Sequence, residues 1–161
     1  MPLILAATEP LDSIFRSVNS CAQLAATTIA GNPERTPDAE LAASAREILD
    51  DLYAQELRET RELFDVRFTQ GRALLDIGDV ARAATYGAVD TVLADIDESV
   101  PGWIDEESGA VTVSADTGAD RYGVVDEIAR RVWLAGGRVL AVRREDIPAK
   151  SSVAAILRYP I

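Results

Sequence analysis

Three acidic residues, Asp95, Asp97 and Glu98, follow directly on the apolar run at residues 92–94. Open α/β sheets place ligands at the ends of parallel strands, and carboxylates are the groups with which proteins hold hard divalent cations. With Asp105 or Asp120 as a further ligand, this cluster would form the centre of a metal-dependent enzyme. Solvated loop acids explain it as well, and we favour this interpretation because the chain carries 27 acidic residues.

The chain lacks the residues on which most hydrolytic and zinc sites depend. It contains no histidine and a single cysteine, Cys21, so it offers neither a Ser-His or Cys-His pair nor the usual zinc ligands. Gly136 and Gly137 precede Arg138 and therefore mark a helix end, since a nucleotide-binding loop would need the GxGxxG spacing. We predict no catalytic residue, no cofactor and no metal in this chain.

The charge and the apolar runs of the chain limit the kinds of partner that it can bind. A formal net charge of −11 in 161 residues repels phosphate backbones, so direct nonspecific nucleic-acid binding is not expected. The longest apolar runs, residues 2–8 and 153–157, are too short to span a membrane, and no basic stretch precedes the first one as in a signal peptide. We expect a cytoplasmic protein without membrane contact, and we leave a homo-oligomer open.

The segment at residues 103–113 alternates in the manner of a small hairpin that turns at Ser108 and Gly109. Its first strand carries a tryptophan next to an acidic turn, and an exposed tryptophan rimmed by charge suits an interaction hot spot. A buried tryptophan in the core is the alternative. The candidate partner-binding residues are Trp103, Ile104, Asp105, Glu106, Glu107 and Ser108.

Two helix-glycine-strand units dominate the last third of the chain. Residues 80–86 run through Gly87 into the strand pattern at 88–95, and residues 128–135 run through Gly136 and Gly137 into 138–143. The apolar strand runs, together with residues 154–159, are typical of strands that helices cover on both faces. We expect Ile156 and Leu157 to be deeply buried, and Trp133 to pack in the core together with Tyr122 and Val125.

A long helix is predicted ahead of these units. The Thr-Pro-Asp sequence at residues 36–38 is a strong helix start, and neither glycine nor proline interrupts the chain from there to Gly71. An unbroken helix over residues 37–68 would exceed the diameter of a small domain, so we interpret it as a connector between two modules. Before it, residues 3–6 and 27–30 have strand patterns and residues 12–18 a helical one, which suggests a fragment of a larger module.

Residues 71–161 resemble the C-terminal domain of the archaeal and eukaryotic class 1 peptide-chain release factors and of their ribosome-rescue relative Pelota, in the divergent form found in bacteria. The resemblance is carried by the Gly-Arg pair at 71–72, the Ala-Ala-Thr-Tyr-Gly-Ala-Val run at 83–89, the turn at 105–109, the glycine pair at 136–137 and the closing Ala-Ile-Leu-Arg-Tyr at 155–159. The last of these is the most specific.

The resemblance implies a three-layer α/β/α sandwich of the L7Ae/L30e type. It divides the chain into a fragment of the family's middle domain (residues 1–35), a long connector helix (36–70) and the C-terminal domain (71–161). The family's middle domain carries a Gly-Gly-Gln loop for peptidyl-tRNA hydrolysis, but Gln23, Gln55 and Gln70 here follow no glycine pair. The hydrolytic residues are therefore expected outside this chain.

Three functions follow from these observations. The first, which we favour, is a non-catalytic docking domain of a release-factor-like protein in translation termination or ribosome rescue, with the ribosome or a translational GTPase as partner of the full-length protein. The second is a small L7Ae-like RNA-binding protein, although the kink-turn motif of that family is replaced here by Asp76, Gly78, Asp79 and Arg82. The third is the metal-dependent enzyme considered above.

Overall fold

A computed structural model describes residues 2–114 and 123–160 of the chain. The chain forms two compact units, Met1–Glu56 and Leu57–Ile161. The helices and strands in chain order are β1 (Leu3–Ala7), α1 (Leu11–Val18), β2 (Leu24–Ala30), α2 (Asp38–Thr69), β3 (Ala73–Leu74), α3 (Ile77–Thr85), β4 (Val89–Asp95), β5 (Gly102–Ile104), β6 (Val111–Val113), α4 (Val124–Leu134), β7 (Arg138–Val142) and β8 (Val153–Leu157). Two short 3₁₀ turns, Arg144–Asp146 and Pro148–Lys150, connect β7 to β8.

The first unit contains the predicted strand, helix and strand. β1 and β2 pair in parallel, and α1 connects them. Arg16 ties the helix to β2, because its guanidinium donates to the carbonyl of Ala25 at 3.1 Å and pairs with Asp12 at 2.8 Å. The strand and helix patterns of this segment are confirmed, while the three domain ranges stay a prediction.

The predicted long helix is confirmed as one uninterrupted element, α2. At 1.5 Å per residue it measures about 48 Å, and it continues from the first unit into the second. Asp38 and Glu40 occupy its first turn, where they complement the positive end of the helix dipole. Within the described parts of the chain, no helix is both long and apolar enough to cross a membrane.

The second unit is built on a four-stranded sheet with the order β3-β8-β4-β7. β8 runs antiparallel to both of its neighbours, and β4 and β7 are parallel. All five residues of β8 are buried, Ile156 and Leu157 among them, as predicted. The glycines after α3 and α4 allow this topology, since Gly87 and Gly136 have φ values of 66° and 74° and end each helix directly before its strand.

Helices cover the sheet on both faces. On one face, α3 and α4 pack against the sheet through buried residues that include Val80, Ile128 and Val132. On the other face, Leu57 and Phe64 of α2 join a second cluster with Leu93 and Ile156. The predicted three-layer α/β/α sandwich is thus confirmed, and the second half of α2 supplies one of the layers.

The prediction for Trp133 was wrong. Its side chain is 73% exposed, although Val125, Ile128 and Val132 of the same helix are buried as expected. Trp133 lies in the last turn of α4, directly after the buried Val132, on a side of the helix that faces away from the core. Tyr122, its predicted neighbour, lies outside the described residues.

We expect Ile156→Ala or Leu157→Ala to lower the free energy of unfolding by about 2–5 kcal/mol, because each change leaves a cavity beside the central strands. Urea denaturation of the whole chain measures this loss. Val113→Ala is the matched control, since Val113 is 63% exposed and its truncation should cost less than about 1 kcal/mol. A cost below about 1 kcal/mol for both buried residues would contradict the assignment of β8 to the core.

Candidate functional site

The predicted hairpin is confirmed, and it divides the candidate residues into two groups. β5 and β6 pair antiparallel, with Trp103 opposite Thr112 and Ile104 opposite Val111. Trp103 is 52% exposed, whereas Ile104 is 6% exposed and packs in the core. The acidic turn residues 105–108 are all exposed. The side chain of Ile104 therefore does not belong to the exposed surface that the other candidates share.

The turn of the hairpin is organised by Asp105. Its carboxylate accepts hydrogen bonds from the backbone amide of Ser108 at 2.7 Å, from the Ser108 hydroxyl at 2.6 Å and from the amide of Glu107 at 3.2 Å. The Ser108 hydroxyl and amide stabilise the charged form and so lower the pKa of Asp105. Asp105 and Ser108 are thus occupied within the turn, while Glu106 and Glu107 extend from it.

A glycine brings the turn against α3. Gly109 has a φ of 69°, and a Cβ at this position would lie 2.7 Å from the Cα of Arg82 and 2.8 Å from the Thr85 hydroxyl. Any side chain here would collide with the helix backbone, so the close approach requires glycine. The hairpin consequently packs directly on the second half of α3.

Arg131 of α4 holds the base of the hairpin. Its guanidinium donates to the carbonyls of Ile104 at 3.0 Å and Asp105 at 3.1 Å, to the Thr85 hydroxyl at 2.6 Å and to the Glu127 carboxylate at 2.8 Å. The side chain is 11% exposed. One arginine thereby joins both helices to the hairpin, and we refer to Arg131 with these four partners as the arginine clamp.

Glu127 supplies the negative charge of the clamp. It also accepts two hydrogen bonds from Arg130, at 2.7 and 2.8 Å. The bonds from Arg130, followed by those from Arg131, outweigh partial burial and lower the pKa of Glu127 from its ordinary 4.5 to about 2. The carboxylate is therefore ionised at neutral pH and fixes the orientation of Arg131.

The acidic cluster after β4 does not have the geometry of a metal site. Asp95 is buried, and its carboxylate accepts a hydrogen bond from the amide of Asp97 at 3.0 Å. Glu98 pairs with Arg144 at 3.4 Å. No three acidic or cysteine side chains converge on a metal position within residues 2–114 and 123–160. Asp120, one of the two predicted additional ligands, lies outside these ranges.

The start of α3, where the resemblance to the L7Ae type would put a kink-turn motif, has an acidic cap. Asp76 accepts hydrogen bonds from the amides of Gly78 at 2.9 Å and Asp79 at 3.0 Å. The amides that would face a phosphate at a helix start are thus taken by a carboxylate. Asp79 in turn pairs with Arg82. This end of the helix presents negative charge and opposes RNA phosphates.

Comparisons with known proteins agree with this architecture. Residues 1–55 match the model of "Bacterial archaeo-eukaryotic release factor family 11". Among solved structures, the C-terminal domain of the peptide chain release factor from Methanosarcina mazei is similar with a TM-score of 0.60 and 18% identity, over 79% of this chain and 98% of that one. No curated protein matches the sequence.

Two longer proteins are similar over almost the whole chain. Archaeal Pelota, in a model of its ribosome-bound state with ABCE1, has a TM-score of 0.62 and 17% identity over 98% of this chain and 44% of that one. Dom34 of S. cerevisiae, a translation termination-like factor that interacts with Hbs1, has a TM-score of 0.58 and 17% identity over 99% and 46%. The chain spans less than half the length of both proteins. The fold of this chain is similar to that of the release factor C-terminal domain.

Arg131→Ala should loosen the hairpin, because the carbonyls of Ile104 and Asp105 lose their donor. We expect hydrogen exchange at the amides of Asp105 and Gly109, which close the turn at 3.0 and 3.1 Å, to accelerate at least tenfold. Arg130→Ala is the matched control, since it removes the neighbouring arginine on Glu127. Equal exchange in both variants would show that the clamp does not hold the hairpin.

The clamp also makes stability depend on pH. The pKa of Glu127 is lower in the folded state than in the unfolded chain, so its contribution is complete above about pH 4.5 and is lost as the pH falls towards 2. Denaturant titrations at pH 5 and pH 3 should show a smaller loss of stability for Glu127→Gln than for the unchanged protein. Glu107→Gln, which removes the same charge from the exposed turn, should retain the full loss.

Proposed function

We propose that this chain is the non-catalytic, partner-docking part of a release-factor-like protein that acts in translation termination or ribosome rescue. The observation that carries the proposal is the combination of two matches on one chain. The first unit matches a bacterial release factor family, and the second has the fold of the release factor C-terminal domain. The long helix α2 runs from the first unit into the second. This agrees with the connector helix that the family resemblance implies between the two modules.

The chemistry of the chain supports a role without catalysis. A sequence of 161 residues without histidine, and with one exposed cysteine, provides no convincing nucleophile or general base. The glutamine of a Gly-Gly-Gln loop has no counterpart in the sequence. Any peptidyl-tRNA hydrolysis by the full-length protein would therefore depend on residues outside this chain.

The docking surface that we propose consists of Trp103, Thr112, Glu106 and Glu107, and we call it the hairpin face. Trp103 is 52% exposed and lies opposite the exposed Thr112 on the same face of the hairpin, and the two exposed glutamates lie on its turn. Tryptophan is enriched among the residues that dominate binding energy, particularly where polar groups surround it. Because the arginine clamp fixes the hairpin in advance, binding would cost little ordering of this surface.

The partners we propose are the ribosome or a translational GTPase, reached through the full-length protein. The related structures motivate this choice, since one shows Pelota on the ribosome and another concerns a factor that interacts with Hbs1. The acidic turn and the net charge of −11 favour a basic protein surface on the partner. The acidic cap of α3 and the paired carboxylates after β4 support neither the RNA-binding nor the metal-dependent alternative.

Trp103→Ala in the full-length protein should weaken association with ribosomes or with the GTPase at least tenfold, because it removes the apolar anchor of the hairpin face. Co-sedimentation with purified ribosomes from the same cells measures the effect. Ile96→Ala is the matched control, because it removes a 58% exposed apolar side chain from the loop after β4, outside the hairpin face. Unchanged association of Trp103→Ala would exclude the hairpin face.

The non-catalytic role has its own test. The isolated chain should release no peptide from peptidyl-tRNA and hydrolyse no ATP or GTP above the buffer background. Turnover of any of these by the purified chain, if abolished by changing a residue of this sequence, would overturn the proposed function and not merely the choice of docking face.

A further inference from the structure

A second surface of the C-terminal unit lies where α3, α4 and β8 all end. A Cβ on Gly87, just after α3, would lie 3.8 Å from the Cβ of Ala135, just after α4. Arg158, which follows β8, donates from its side chain to the carbonyl of Ala135 and from its backbone to that of Ala88, both at 2.9 Å. Three chain segments thus meet at one end of the sheet.

This end exposes large side chains. Trp133 and Leu134 are consecutive in the last turn of α4 and are 73% and 69% exposed. Tyr86 and Tyr159, which follow α3 and β8, are also at least half exposed. Single exposed apolar residues are ordinary, but four at one end of a small unit form a patch of the kind that marks an interaction site.

A groove of about 380 Å³ opens between the helix ends beside the hairpin turn. Ala84, Gly87 and Ala135 give it an apolar floor beside the exposed Leu134, Arg130 and Arg131 give it a positive wall, and Glu106 gives it a negative one. We call this the helix-end groove. It lies within the C-terminal unit and shares Glu106 with the hairpin face.

The charges of the groove indicate what covers it. A surface of uniformly positive charge would meet repulsion from Arg130, and a polyanion such as RNA would meet it from Glu106. When two copies meet across a twofold axis, the positive wall of each groove faces the negative wall of the other. A groove with one positive and one negative wall is therefore complementary to a copy of itself. The apolar floor and the adjacent Leu134 complement each other in the same way.

We propose that the helix-end groove is a homodimer interface occupied by a second copy of this chain. Leu134 inserts over the groove of the opposite copy, and Arg130 pairs with the partner subunit's Glu106. Specific interfaces usually bury about 800 Å² per partner, and a patch built on four side chains is at the small end of that range. The dimer is therefore weak and forms in a concentration-dependent manner.

Sedimentation equilibrium of the complete chain tests the interface directly. The unchanged protein should show a monomer–dimer equilibrium, and Leu134→Glu should raise its dissociation constant at least tenfold. Since Leu134 is 69% exposed, the change should not unfold the protein, and circular dichroism can verify this. Ile96→Glu is the control, because Ile96 is 58% exposed in the loop after β4. A monomer at all concentrations, or a dimer indifferent to Leu134→Glu, would overturn the proposal.

A charge exchange tests the twofold pairing without relying on loss of binding. Arg130→Glu alone places two glutamates opposite each other, and Glu106→Arg alone places two arginines opposite each other, so each variant should be largely monomeric. An equimolar mixture of the two restores both pairs, because each copy meets the opposite charge on the other. The mixture should form a heterodimer, whereas Arg143→Glu, an exposed control, should dimerise as the unchanged chain does.

Failure of the mixture to associate when the unchanged chain does dimerise would refute this pairing. These measurements use the purified chain alone, without ribosomes or GTPase. Their outcome is therefore independent of whether the hairpin face binds a translational partner.

Discussion

The burial of β8 on both faces is the constraint on which the C-terminal unit depends. All five of its residues are buried, and the strand pairs antiparallel with a neighbour on each side. A central strand with two apolar faces needs a helical layer over each of them. α3 and α4 supply one layer, and the second half of α2 supplies the other through Leu57 and Phe64. The helix that continues from the first unit is thus part of the core of the second.

The arginine clamp extends this core to the surface. A two-stranded hairpin is marginally stable by itself, and this one has only three residues in each strand. It is held by Ile104 in the core, by the approach of Gly109 to α3 and by the bonds of Arg131 to its carbonyls. Arginine suits this position better than lysine, because its planar group can donate in several directions at once while Glu127 fixes its orientation.

The sequence allowed much of this architecture to be predicted, since local signals specify it. The start at Thr-Pro-Asp and the absence of breakers identified α2, and the glycines after α3 and α4 identified the helix-to-strand joints. The alternation of residues along a strand assigns them to two faces but does not say which face is buried. The exposure of Trp103 could therefore not be predicted from it. Alternation did show that Trp103 and Ile104 lie on opposite sides, so they should not have been grouped on one surface. The clamp was missed because Arg131 bonds to main-chain carbonyls far away in sequence, and such contacts leave no local pattern.

The two proposed surfaces are joined through one carboxylate. Glu127 bonds to Arg131, which holds the base of the hairpin, and to Arg130, which forms a wall of the helix-end groove. Glu106 connects them from the other side, because it belongs to the hairpin turn and also lines the groove. If a second copy engaged Arg130 and Glu106, it would fix the turn and compete for a residue of the hairpin face. Dimerisation and partner docking would then be coupled by a few shared charges, without any change in the fold.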